Sequence, residues 1–141
     1  MSRYNEEIKY VHNALKEGQY EILNEDIAIG KVYKINAYGS LDKDGFEIGY
    51  LYLEKGSGIK EHYHEDNIES YKLLEGTLVV SGETCNQNIC LLHKKHNIHP
   101  VYTNTIIKTC KINSKYYHNL SSIKLEEFNQ LTSFSKVKKK N

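Results

Sequence analysis

Three side chains of types that commonly bind metal ions lie close together near the middle of the chain: His62, His64 and Glu69. Histidines separated by one residue project from the same face of an extended strand, because side chains alternate with period 2. Residues 65–67 favour a turn, after which Glu69 can present its carboxylate to the same point. Two imidazoles and one carboxylate, with coordination positions left open, suit iron(II) and its divalent neighbours. The sequence therefore predicts a metal site before any fold is considered.

The residues around this cluster have a more specific spacing than the two histidines alone. Five residues separate Gly56 from His62, and six separate Glu69 from Gly76. The arrangement resembles the first motif of the cupin superfamily, G(X)5HXH(X)3–4E(X)6G, and matches it at every fixed position. The resemblance covers about residues 45 to 115. It implies an all-β fold, the double-stranded β-helix or jelly-roll barrel of the cupins.

The second cupin motif, G(X)5PXG(X)2H(X)3N, is only partly retained. Its best register places His99 at the histidine, so the resemblance implies that His99 is the fourth metal ligand. The other fixed positions carry different residues, namely Asn88, Lys94, His96 and Thr103. His93 and His96 compete with His99 for the fourth position, since the three recur every third residue. Pro100 disfavours a helix at His99, and in the family register His99 leads a strand while the other two lie in the preceding loop.

Tyr71 is the candidate catalytic residue. It lies two residues beyond Glu69 on the same strand face, so its phenol can point towards the metal. A tyrosine there can orient a substrate or move a proton, since a nearby cation lowers its pKa. An aromatic side chain at this position also suits an ordinary barrel core, and both interpretations stay open.

The remaining patterns predict the elements that must position these residues. Apolar residues recur at helical spacing between Tyr4 and Lys16, and Gly18 is suited to end a short helix. From Tyr20 onward, short strands and turn clusters alternate every 8 to 12 residues or so, which is typical of an all-β sandwich or barrel. Residues 27–35 and 98–102 are each interpreted as a strand. We divide the chain into an N-terminal helix (1–18), a cupin β-barrel domain (19–120), and a short helix with a basic tail (121–141).

One predicted strand, Phe46–Leu53, is apolar on both faces. Such a strand is buried in a sandwich or at a subunit contact. Together with the resemblance to small cupins, which commonly pair through outer sheet faces, this pattern predicts a homodimer.

Composition narrows the possible partners and the compartment. The chain has 141 residues and a formal net charge of +1, so no broad basic field indicates a nucleic-acid partner. No apolar run approaches the roughly 18 residues of a membrane span. The amino terminus is polar and acidic, and the three cysteines are expected to be free thiols, so we expect a cytoplasmic protein. A disulfide across a hairpin between Cys85 and Cys90 is the alternative.

The resemblance implies a divalent metal held by His62, His64, Glu69 and His99, with iron, manganese, nickel, zinc or copper all compatible. It also implies dioxygenase, isomerase, decarboxylase or lyase chemistry on a small oxygen-rich molecule. Two alternatives stay open. The first is a cupin that senses or stores a small ligand or a metal without turnover, and the second is a metal-independent sugar-nucleotide epimerase in the same barrel.

Overall fold

The computed structural model of the chain describes residues 5–82, 85–86, 89–92 and 95–116. The predicted C-terminal helix and basic tail (121–141) and His93 lie outside these residues. The predicted N-terminal helix is present as α1, Asn5–Lys16. A second, one-turn helix, α2, spans Leu41–Asp44, and a 3₁₀ turn follows the last described strand at Ser114–Tyr116.

The described part of the chain is otherwise built from short strands. In chain order they are β1 (Glu21–Ile22), β2 (Ala28–Ile29), β3 (Val32–Ser40), β4 (Phe46–Leu53), β5 (Gly58–His62), β6 (Asn67–Glu75), β7 (Val80–Ser81), β8 (Cys85–Asn86), β9 (Ile89–Leu92), β10 (His96–Ile98) and β11 (Thr105–Asn113).

The strands form two antiparallel sheets. Among the described residues, the larger sheet has the order β1-β3-β4-β11-β6-β9-β8 and the smaller has the order β2-β5-β10-β7. Consecutive strands often lie in different sheets, as in jelly-roll architectures, so residues distant in sequence meet between the sheets. The two facing sheets confirm the predicted all-β fold, although the structure does not close them into a continuous barrel.

Two apolar clusters hold the layers together. The first lies between α1 and the outer face of the larger sheet, where Val11 and Ala14 of the helix pack near Ile48 and Tyr50 of β4. The second lies between the two sheets and includes Leu51 of β4. The strand that is apolar on both faces is therefore covered on both sides within one chain, by the helix and by the smaller sheet. Its pattern does not require a second subunit, and the homodimer stays a prediction.

The segment interpreted as one strand, residues 27–35, is two strands in different sheets. The chain turns at Gly30, so β2 pairs with β5 of the smaller sheet while β3 pairs with β4 of the larger one. The prediction of a single strand is wrong because period-2 alternation does not reveal a change of sheet.

The two glycines of the cupin motif lie at turns that need them. Gly56 has φ 86° and Gly76 has φ 100°, in the left-handed region that side chains with a Cβ rarely adopt. At Gly76 an added Cβ would also collide with Thr105. These glycines therefore bracket the two strands that carry the candidate ligands.

The expectation for the cysteines is partly wrong. Cys90 is disulfide-bonded, whereas Cys110 is a buried free thiol. Burial raises the pKa of the Cys110 thiol to about 12. The register of β8 and β9 places the Cα of Cys85 opposite that of Cys90.

Within the described residues, no helix is both long enough and apolar enough to cross a membrane.

A buried charged network fixes α1 to the larger sheet. Oε1 of Glu7 accepts hydrogen bonds from the Tyr50 hydroxyl at 2.8 Å and from the Lys108 ammonium at 2.6 Å. All three side chains are buried. Burial lowers the pKa of Lys108, while the Glu7 carboxylate opposes that shift. The partners are 101 positions apart in sequence, so this network joins the start of the chain to its last described strand.

Replacing Glu7 by Ala is expected to lower the free energy of unfolding by about 3–5 kcal/mol, because it removes one partner of a buried ion pair. Glu47→Ala is the control, since Glu47 and Lys34 form a pair of 3.8 Å at half-buried positions, where such pairs contribute about 0–1 kcal/mol. Urea unfolding followed by circular dichroism measures both. Equal losses in the two variants would contradict a special role for the buried network.

Candidate metal centre

Three strands position the candidate ligands. His62 is the last residue of β5, and His64 follows it by two residues. Glu69 lies on β6, in the interior of the larger sheet between β11 and β9. His96 begins β10, and its Cα pairs with that of His62 across the smaller sheet. Paired residues of antiparallel strands present their side chains to the same face. The two sheets therefore bring a carboxylate from one side to imidazoles from the other.

Three imidazole nitrogens face one carboxylate oxygen. Oε1 of Glu69 lies 3.4 Å from Nε2 of His62, 3.3 Å from Nε2 of His64 and 3.4 Å from Nε2 of His96. The candidate ligand atoms of His62, His64 and Glu69 all lie within 4.8 Å of one another. Two ligands about 2.1 Å from one ion are separated by about 3.0 Å in octahedral and about 3.4 Å in tetrahedral coordination. The separations between Oε1 of Glu69 and each Nε2 fit ligands that share one ion.

The orientation of His62 supports the same interpretation. Its Nδ1 lies 2.9 Å from the carbonyl oxygen of Lys60, which can only accept a hydrogen bond, so Nδ1 carries the proton. In the neutral ring the lone pair is then on Nε2, which faces Oε1 of Glu69. Two acceptors at 3.4 Å require a proton or a cation between them. A metal-binding histidine is typically held in this way by a hydrogen bond from its other nitrogen.

The electrostatics of Glu69 reflect this crowding. Glu69 is 5% exposed. Burial would raise the pKa of the Glu69 carboxyl, but hydrogen bonds from the three histidines and the charge of Lys111 hold it well below its ordinary value. For His62, burial opposes protonation, yet the hydrogen bond to Glu69 leads to a raised pKa. The site thus keeps a buried negative charge that attracts protons and cations.

The structure brings together three of the four ligands expected from the sequence, and it does not bring His99 to them. His99 is exposed, and its Nε2 lies 2.6 Å from Oγ of Ser81. His96, the alternative that the sequence left open, lies at the cluster instead and is buried. The reason is the extent of β10, which covers His96–Ile98 and ends before His99. The pairing of β10 with β5 is also irregular here, because the register shifts between His96 and Ile98.

Tyr71 lies beside the candidate ligands. Its hydroxyl donates a hydrogen bond of 3.0 Å to Oε1 of Glu69 and lies 3.5 Å from Nε2 of His96. Burial and the Glu69 carboxylate raise the pKa of Tyr71 well above its ordinary value, so the phenol keeps its proton. Tyr71 is both a core residue of the cluster between the sheets and a contact of the ligand carboxylate.

A pocket opens onto this site between the sheets. Its empty space is about 540 Å³, which includes the part open to solvent at the mouth. His62, His64, Glu69 and Tyr71 line one part of it. Its other polar lining residues were not predicted from the sequence; they are Lys34, Asn36, Glu47, Thr109 and Lys111. Their signal was weak because single polar residues on a strand usually face solvent, and only the pairing of strands places them here.

The chain has the cupin fold. A structure of acetylacetone dioxygenase from Acinetobacter johnsonii matches with a TM-score of 0.53 and 15% identity, over 68% of this chain and 69% of that one. A predicted oxalate decarboxylase from Thermotoga maritima matches with a TM-score of 0.54 and 20% identity, over 67% and 92% of the two chains. The cupin domain of Schizosaccharomyces pombe Cnp3 matches with a TM-score of 0.53 and 10% identity, over 74% and 76%. No protein-family model and no curated protein matches this chain.

Two single variants distinguish His96 from His99 as a metal ligand. His96→Ala is expected to weaken metal binding by more than the roughly 10- to 100-fold that loss of an outer contact costs. His99→Ala is the matched control and should leave the affinity unchanged, because His99 contacts Ser81 instead. Competition with a chromophoric chelator measures both affinities. Weaker binding in the His99 variant alone would restore the assignment implied by the second motif.

Proposed function

We propose that this protein binds one divalent metal ion through His62, His64, Glu69 and His96. The observation that carries the proposal is the arrangement of three Nε2 atoms around Oε1 of Glu69, each at 3.3–3.4 Å. Three neutral imidazoles and one carboxylate suit iron, manganese, nickel or zinc and leave coordination positions for a substrate in a six-coordinate ion.

We further propose that the site acts enzymatically on a small oxygen-rich molecule. A bound divalent ion supplies Lewis acidity, polarising carbonyl or carboxylate oxygens of a substrate. The pocket combines apolar side chains with a few polar groups that converge on one end, as small-molecule sites typically do. Leu23, Leu51 and Ile59 line its apolar part and limit the access of water to the reacting end.

The protein's own groups have separable roles in this proposal. The Nδ1 hydrogen bond of His62 to the Lys60 carbonyl orients the ring and fixes its tautomer. The Tyr71 hydroxyl holds Oε1 of Glu69 and retains its proton, which makes Tyr71 a positioning residue rather than a base. Lys111 approaches the other oxygen, Oε2, at 3.9 Å. The carboxylate is thus oriented at both oxygens.

Several reaction types are compatible with the proposed site. Dioxygenase, isomerase, decarboxylase and lyase chemistry all fit a metal with open positions, and one fold supports many reactions. Two of the similar structures are described as a dioxygenase and a predicted decarboxylase, which is compatible with this range. The incomplete second motif was the reason to consider a cupin that binds a ligand without turnover. Since His96 would supply the third imidazole in place of His99, the incomplete second motif does not remove the proposed ligand set.

Elemental analysis of protein purified without chelators tests the metal site. We expect about one divalent transition metal per chain, absent from the His62→Ala/His64→Ala double variant, which loses two ligands. His12→Ala is the control, since His12 is exposed on α1, and it should retain the metal. Metal retained at full stoichiometry in the double variant would disprove the assignment.

Tyr71→Phe tests the positioning role. The variant keeps the ring but removes the hydrogen bond to Glu69, so metal affinity should fall roughly 10- to 100-fold, as for other outer contacts of ligands. A chelator competition assay measures the affinity, and thermal unfolding of the metal-free protein reports the stability of the variant. An unchanged affinity would assign Tyr71 to packing or to a direct step with substrate.

Turnover separates an enzyme from a binding module. The metal-loaded protein is assayed for loss of 1,3-dicarbonyl and carboxylate compounds, with and without O₂. An activity abolished by chelator and restored by one metal supports the metal-dependent enzyme. Stoichiometric binding without turnover of any compound would favour the sensor, and activity unaffected by chelator would contradict a metal-dependent reaction.

A further inference from the structure

Charged residues of the pocket lie in a row that leads away from the metal site. In the larger sheet the Cα of Lys111 on β11 lies opposite that of Glu69 on one side and that of Glu47 on the other. Residues opposite each other on neighbouring strands share a face. Lys111 therefore projects from the pocket floor directly beside the carboxylate that faces the histidines.

The ammonium group of Lys111 is only loosely paired. Its Nζ lies 3.9 Å from Oε2 of Glu69, which is at the limit of an ion pair, and its side chain is 24% exposed. Lys34, which also lines the pocket, lies 3.8 Å from Glu47. An ammonium has three N–H donors, so one long contact leaves donors for a ligand.

The balance of charge in the pocket favours an anion. Its lining includes two lysines, Lys34 and Lys111, and two carboxylates, Glu47 and Glu69, and a histidine that binds a metal does so as a neutral ring. Without a metal these side-chain charges cancel. A divalent ion bound at the site adds two positive charges, so the loaded pocket has an excess of +2 that a neutral substrate leaves uncompensated.

We propose that Lys111 binds an anionic oxygen of the substrate, which makes the pocket selective for small carboxylates that also offer an oxygen to the metal. Lys34, Asn36 and Thr109 line the same pocket and provide further hydrogen-bond donors. Leu23, Leu51 and Ile59 also line it and leave room for only a short apolar part of the ligand. This inference rests on the proposed function, because the excess positive charge comes from the metal. It assigns a substrate class and a specificity residue to that site.

The test compares two probes of nearly equal size. Acetoacetate and acetylacetone share the 1,3-dicarbonyl group, but acetoacetate has a carboxylate oxygen where acetylacetone has a methyl group. Calorimetric titration of the zinc-loaded protein, which avoids redox chemistry, gives both affinities. We expect acetoacetate to bind at least roughly tenfold more tightly, and Lys111→Met to reduce this ratio about tenfold while acetylacetone binding changes little.

Control variants separate the charge of Lys111 from other effects. Lys111→Arg keeps the positive charge and should keep the preference for acetoacetate. Lys31→Met removes an exposed lysine that does not line the pocket and should leave both affinities unchanged. Zinc content is measured for every variant after titration, and thermal unfolding verifies that each is folded.

The outcomes distinguish this inference from the proposed function. A zinc-loaded wild-type protein with no preference for acetoacetate, or a Lys111→Met protein that retains the preference, overturns the inference and leaves the metal site intact. The same holds if Lys111→Met fails to fold and Lys111→Arg, although folded, loses the preference. A wild-type protein that holds no zinc, nickel, iron or manganese contradicts the proposed function and this inference with it.

Discussion

The buried carboxylate of Glu69 is the constraint on which the rest of the site depends. Removing a carboxylate from water is unfavourable unless it is hydrogen-bonded or paired with positive charge. Here Oε1 faces three imidazoles and the Tyr71 hydroxyl, while Oε2 faces Lys111. Because Nδ1 of His62 already donates to a carbonyl, Nε2 of its neutral ring can only accept, and it faces an acceptor. That arrangement is stable with a proton or a cation between them, and the metal ion that we propose would account for all three imidazoles at once.

The fold places this carboxylate where both sheets can reach it. Glu69 lies on β6, an interior strand of the larger sheet, whereas His62 and His96 are paired residues of β5 and β10 in the smaller sheet. A metal ion bound at the site would join the two sheets as well as bind a substrate. On the opposite face of the larger sheet, the buried contacts of Glu7 with Tyr50 and Lys108 attach α1. The layers are therefore connected by polar contacts as well as by apolar packing.

The sequence predicted the parts of this structure that depend on local spacing. The H-x-H pair, Glu69 and the flanking glycines are close in the chain, and each acts through strand alternation or a turn. The N-terminal helix and most of the strands were also identified from their periodicity, whereas the strand predicted over residues 98–102 is wrong because β10 ends at Ile98. These are the features for which neighbouring residues contain the necessary information.

What the sequence did not reveal depends on pairing between distant segments. The choice between His96 and His99 turned on where β10 ends, and the signal available was that His96 and Ile98 alternate as residues of one strand face do. Two other features depend only on the tertiary fold: the division of residues 27–35 between two sheets, and the pairing of Glu7 with Lys108. The same is true of Lys111, whose place beside Glu69 follows from the register of β11 with β6.

The most direct test of the central claim is a crystal structure of the metal-loaded protein with anomalous diffraction measured at the absorption edge of the metal. The account predicts one anomalous peak at about 2.0–2.2 Å from Nε2 of His62, His64 and His96 and from a carboxylate oxygen of Glu69. A peak at His99 and Ser81, or a fully loaded crystal without a peak among these four residues, would contradict it.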